Sequence, residues 1–360
     1  MLGTEEAAAV AESPARPREG GRQLDEAAGG LASFGPPVIV FNASHSGSRL
    51  LALMLRRLGV FMGAHVNDSE DSLDVFELVR YLVEAHAPDY AQLFSDGDET
   101  LCVRVLAAFG AHLAGRPAAQ PWGWKLPETS HVMPVMARLF PQARCIHLVR
   151  DGRDVAFSPF LAPKAPFWRK IYFNDDRIDS WRGHGMTQRA YRAHGHLFNA
   201  ARWVNSVTLG RAHGAMLGER YLEVRYEALV ADPSGELARL ADFLGLPAPT
   251  EAFEWPDVRV QSIGKWRRQP ARQLADVRAI LEPTLGAFGY GWGEGGPRGG
   301  AERVLRTIAE SLRWGSGVSA GPGAEPGGLG GLFRVRTQRG SRPADGRVVA
   351  AACGARRTGL

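Results

Sequence analysis

Three short segments of this chain carry residues suited to holding and moving an anion. The first is AsnAlaSerHisSerGlySerArg (42–49), between the apolar run ValIleValPhe (38–41) and a helical stretch from Leu50 to Leu58. Small side chains let the backbone turn tightly there, and Gly47 takes a positive φ without steric cost. Such a turn presents N–H groups at a helix N-terminus, where the dipole also favours negative charge. Hydroxyls of Ser46 and Ser48 add donors, and His45 or Arg49 adds positive charge. An ordinary helix cap uses the same residue types, so this turn alone leaves phosphate binding open. It lacks the lysine and the glycine count of a Gly-x-x-x-x-Gly-Lys-Ser/Thr loop, which weighs against an ATPase or kinase.

The second segment runs from Phe140 to Ser158. Its apolar run CysIleHisLeuVal (145–149) delivers Arg150, and Ser158 follows two turns into the next helix. A guanidinium fork and a hydroxyl at these positions can grip a phosphate. A surface turn with internal ion pairs is the plainer reading of ArgAspGlyArgAsp (150–154). The third is TrpGlyTrpLys (122–125), a short strand that ends on Lys125. Only four of the 43 basic residues are lysines, so a compact ammonium at this place draws notice.

Elements that alternate between strand and helix must position these groups. Buried strands are expected at 38–41, 122–125, 145–149 and 221–226. Helices are expected at 50–58, 73–84, 131–140, through most of 187–217, and at 236–244. The alternation predicts a three-layer α/β sandwich with a central parallel sheet. Residues 1–34 and 292–360 are rich in Gly, Ala, Pro and Arg without a steady period and read as disordered tails. The folded domain is then 35–291, and a short helix is expected at 302–314 in the C-terminal tail.

Composition narrows the function. The net charge of +5 is mild and lacks the clustering of a nucleic-acid binder. The three cysteines have no metal-ligand spacing, no metal is expected, and no apolar run reaches the ~20 residues of a membrane span. These features fit a cytoplasmic protein.

Taken in order, the segments resemble the sulfotransferase family, enzymes that use 3′-phosphoadenosine-5′-phosphosulfate (PAPS). HisSerGlySer (45–48) matches the turn that cradles the donor's 5′-phosphosulfate, with His45 where the family more often has Lys or Arg. Arg150 and Ser158 match the positions that bind its 3′-phosphate. TyrLeuGluValArgTyr (221–226) resembles the strand near the adenine, with Tyr226 against the base. SerIleGlyLysTrpArgArg (262–268) resembles the late loop that closes the donor site, through Gly264, Lys265, Trp266 and Arg267.

The resemblance covers about 38–290. It implies the P-loop-NTPase-like sulfotransferase fold and in-line transfer of a sulfuryl group to a hydroxyl or amine. Lys125 is then the cation beside the transferred group. It also implies a general base about twenty residues after the turn, in the window that holds His65, Asn67, Asp68, Glu70 and Asp71. His65 and Glu70 are the first candidates, with Glu128 a further one. The acceptor is expected to be a small molecule, a glycan or a lipid, met by the aromatic segment 157–185. A P-loop nucleotide kinase and a non-catalytic nucleotide-binding relative remain the competing readings.

Overall fold

The computed structural model describes residues 19–86, 100–159, 195–248 and 260–292. Four strands form one parallel sheet in the order β2-β1-β3-β4. They are β1 (Val38–Asn42), β2 (Gly123–Lys125), β3 (Arg144–Val149) and β4 (Tyr221–Arg225). β1 pairs with β2 from Val38↔Gly123 to Val40↔Lys125, and with β3 from Val38↔Arg144 to Asn42↔Leu148. All four expected strands are present. β1 is buried along its whole length, as a central parallel strand should be.

Alternation along β1 divides the core. Ile39 and Phe41 face one layer, with Trp122, Trp124 and Cys145. Val38 and Val40 face the other, with Ile146, Leu148 and Val224. Period-2 side chains in a strand covered on both faces produce this split. The first face is covered by α1 (Glu19–Leu31), α3 (Leu73–His86), α4 (Leu101–His112) and α5 (Met133–Leu139). The second is covered by α2 (Ser48–Arg57), α8 (Tyr226–Ala231) and α9 (Pro233–Leu244). A third cluster joins α6 (Gly152–Ala156), the long α7 (Gly195–Leu217) and α10 (Ala271–Ala287). The three-layer α/β sandwich is as expected.

Helix ends follow their sequence signals. The Asp232 side chain accepts the Gly235 N–H at 2.9 Å, Pro233 starts α9, and Gly245 closes it at φ 67°. Asp151 caps α6 by accepting the Arg153 N–H.

One boundary is corrected. Residues 19–34 are not part of a disordered tail, because Glu19–Leu31 is helical and Leu24, Ala27 and Leu31 are buried. Three apolar anchors at helical spacing pack on α4 and α5, and the Gly and Ala around them conceal the stripe. Residues 1–18, the tail from 293 with its expected helix, and the aromatics between 160 and 185 lie outside the described residues. Helices α4 and α10 had not been expected from the sequence.

Leu24→Ala should cost about 2–5 kcal/mol of stability. Urea unfolding of the variant would measure it, and an unchanged midpoint would mean that α1 does not belong to the domain core.

Candidate functional site

The C-terminal ends of all four strands open into one cavity of about 710 Å³. Strand order reverses direction at β1, and in open α/β sheets ligands bind in the crevice at such a point.

The turn after β1 supplies one wall. The Ser46 N–H donates to the Ala43 carbonyl at 3.1 Å, with His45 at φ 69° and Gly47 at φ 83°. A non-glycine residue held in this region costs about 1–3 kcal/mol, and such strain collects at functional sites. Gly47 is required twice over: a Cβ there would lie 2.3 Å from Cε2 of Tyr226. Tyr226 therefore packs directly on the turn that opens α2. Ser44, His45, Gly47, Ser48 and Arg49 line the cavity. Ser46 does not; its hydroxyl is fully buried beneath the turn with no protein partner.

Arg150, at the end of β3, reaches the opposite wall. Its guanidinium donates to the His45 carbonyl at 3.2 Å and to the Ser262 carbonyl at 2.6 Å, and lies 4.6 Å over the Tyr226 ring. Lys265 Nζ donates to Ser158 Oγ at 2.8 Å. Arg150, Ser158, Tyr226, Ser262 and Lys265 thus converge, as the sequence predicts for the first three and Lys265. Trp266 is an anchor, wedged against Arg153 at 4.1 Å and against Trp292. Gly264, Trp266 and Arg267 do not line the cavity; Gly264 provides the loop's left-handed bend, at φ 73°.

The surroundings of His45 work against a charge on its ring. It lines the cavity, but burial by the surrounding protein disfavours the charged form, and Arg202, Lys265 and Arg150 repel a further proton. Together they lower its pKa to about 4, so on the protein's own charges it is neutral at pH 7. The cations are Arg49, Arg150, Lys265 and Lys125. Burial, then Arg150, lowers the pKa of Lys265 to about 8.

Lys125 is 2% exposed yet lines the cavity. Its Nζ donates to the Ser69 carbonyl and, at 2.5 Å, to Asp71 Oδ1. The two first candidates for a base are not brought to the cavity. His65 is exposed and paired with Asp74 at 3.1 Å. Glu70 turns outward at φ 64° to meet Arg56 at 2.8 Å. Their neighbours Asn67, Asp68, Ser69 and Asp71 line the cavity instead, with Glu128.

Residues 36–250 match the Sulfotransferase family. The chain belongs to this family. Relatives include mouse carbohydrate sulfotransferase 7, 30% identical over 30% of this chain and 25% of that protein. Human carbohydrate sulfotransferase 3 is 28% identical over 41% of this chain and 33% of that protein. The chain thus spans a quarter to a third of the length of these relatives. Among solved structures, the sulfotransferase domain of the Synechococcus olefin synthase is similar at TM-score 0.42 and 20% identity, covering 70% of this chain and 94% of that one. A mouse sulfotransferase complexed with PAP is similar at TM-score 0.35 and 14% identity, covering 81% and 94%.

Two contributors to this family site escape a sequence reading. Asp154 accepts the N–H groups of Gly264 at 2.7 Å and Trp266 at 3.1 Å, and so ties the late loop to α6. Arg202, buried on α7, donates to the Ser44 carbonyl beneath the turn after β1. Their partners lie more than a hundred residues away, with no local pattern to mark them.

Asp154→Asn leaves one acceptor oxygen where there were two. It should destabilise the fold by about 1–3 kcal/mol, read by urea unfolding. A wild-type midpoint in the variant would mean that the loop holds its place without this carboxylate.

Proposed function

We propose that this protein is a PAPS-dependent sulfotransferase that transfers a sulfuryl group in line to a hydroxyl or amine of a small-molecule, glycan or lipid acceptor. The observation that carries this reading is one cavity that brings together two sets of donors suited to anions. One set is the N-terminus of α2 with Gly47, Ser48 and Arg49; the other is Arg150, Ser158 and Lys265. A nucleotide phosphorylated at both its 5′ and 3′ positions has this charge pattern, and the volume suits a ligand of that size. Tyr226, lining the same cavity, offers a ring face to a base.

PAPS supplies the activated sulfuryl group; positioning and cations aimed at the developing charge then dominate such transfers. The N-terminus of α2, whose dipole favours an anion, holds the 5′ end. Arg150 and Ser158 hold the 3′-phosphate, with Lys265 over it. Lys125 faces the transferred group once its contacts to Asp71 and Ser69 rearrange. Carbohydrate sulfotransferases among the relatives support a saccharide hydroxyl as acceptor. Phe76 and Leu73 on the cavity wall would meet its apolar face.

PAP (3′,5′-ADP) at about 100 times its Kd should stabilise the protein by ~2.7 kcal/mol, a rise in Tm of about 5–10 °C, and ATP at equal concentration by less. If neither PAP nor PAPS shifts Tm, the proposal fails. Affinity should also depend on pH. Lys265 is charged below its pKa of about 8 and neutral above it, so PAP binding should weaken from pH 7 to pH 9. Lys265→Met should bind more weakly at pH 7 and flatten that slope; an unchanged slope would remove Lys265 from the phosphate site.

A further inference from the structure

We infer that Glu128 is the general base that takes the proton from the acceptor hydroxyl. The inference rests on the sulfuryl-transfer reading and supplies the group that the window after the phosphate turn does not.

Among the described residues, three carboxylates line the cavity: Asp68, Asp71 and Glu128. Asp68 is exposed to bulk water. Asp71 is committed to Lys125 at 2.5 Å. Glu128 differs from both. It sits on the 3-10 turn Pro127–Val132 that closes β2, three residues after Lys125, and is 3% exposed. The strand that delivers the cation for the transferred group therefore delivers this carboxylate beside it.

The groups around Glu128 set its proton affinity. Burial raises it most, and the charge of Asp71, from the loop before α3, raises it further. Arg202 on α7 and Lys125 on β2 oppose that rise. From the phosphate turn, Ser44 donates to Oε1 at 3.4 Å. His213 of α7 meets the same 3-10 turn at the Ser130 carbonyl, and its burial favours the neutral ring. The result is a carboxyl with a pKa of about 7, close to the optimum for a base working near neutral pH. Of the two acids near this lysine, Asp71 serves as its counter-ion and Glu128 exchanges the proton.

The step balances without any further reactant. The acceptor oxygen forms its bond to sulfur as the bond from sulfur to the 5′-phosphate bridging oxygen breaks. That electron pair leaves with PAP. The acceptor proton passes to the Glu128 carboxylate and then to water.

The test compares wild type, Glu128→Gln and Glu128→Asp. PAP binding by calorimetry reports an intact donor site. Turnover of radiolabelled PAPS reports transfer to a set of mono- and disaccharides, to p-nitrophenol and to water. Glu128→Gln should bind PAP within about threefold of wild type and lose about 100-fold or more in kcat. Wild-type kcat should rise with pH through about 7, because Glu128 must be ionised to accept a proton. That rise should vanish in Glu128→Gln and survive, at lower kcat, in Glu128→Asp. Infrared spectra should show a protonated carboxyl band that appears as pH falls through 7 and is absent from Glu128→Gln.

A Glu128→Gln enzyme with near-wild-type kcat, or with the same pH limb, overturns the assignment. So does a wild type that binds PAP but transfers to no acceptor and not to water. A wild type that binds neither PAP nor PAPS overturns the sulfotransferase reading itself, a distinguishable failure.

Discussion

The site depends on gathering positive charge at one edge of a parallel sheet without cancelling it. Arg202, Lys265 and Arg150 crowd around the turn after β1, and their charge adds to burial, the larger cause, in holding His45 neutral. Most of these cations rest on backbone carbonyls. Arg150 uses those of His45 and Ser262, Arg202 that of Ser44, and Lys125 that of Ser69. A carbonyl offers a partial charge, enough to seat a guanidinium and too little to neutralise it. A full carboxylate in the same place would compete with any anionic ligand. Lys125 departs from this pattern by pairing with Asp71.

That arrangement explains why the late loop needs so many anchors. It must bring Lys265 toward Arg150 against like-charge repulsion. Asp154 holds two of its N–H groups, and Tyr226 meets Ser262 at 3.2 Å. Trp266 is fixed between Arg153 and Trp292. Arg153 is in turn gripped by Asp151 at 2.7 Å. The ArgAspGlyArgAsp run therefore divides its labour: Arg150 faces the cavity, while Asp151, Arg153 and Asp154 hold the frame that aims it. Loops so held can stay in a strained, charge-rich conformation because the surrounding packing over-determines them.

Much of this was legible in the chain itself. The four strands, most of the helices between them, the glycine at the turn and the place of Arg150 at a strand end follow from local rules. Those rules are an apolar run bounded by turn residues, a small-residue loop before a helix, and a basic residue at a strand end. Each is a property of a few consecutive residues, so no tertiary knowledge is needed to read it. Helix α1 was hidden because its three apolar anchors lie among Gly and Ala, and only contact with α4 and α5 makes the stripe count.

Which carboxylates reach the cavity, and the charge of the turn, were decided by the tertiary structure. His65 and Glu70 have suitable chemistry and sit at a suitable distance along the chain, but side-chain direction settles their fate: one pairs with Asp74, the other with Arg56. Glu128 and His45 owe their proton affinities to burial and to charges contributed by distant segments. The sequence alone determined which residues could bind an anion and in what order the elements present them. Only the fold determined which carboxylate meets the cavity and which protons it can hold, because desolvation and Coulomb terms depend on distances that sequence separation does not encode.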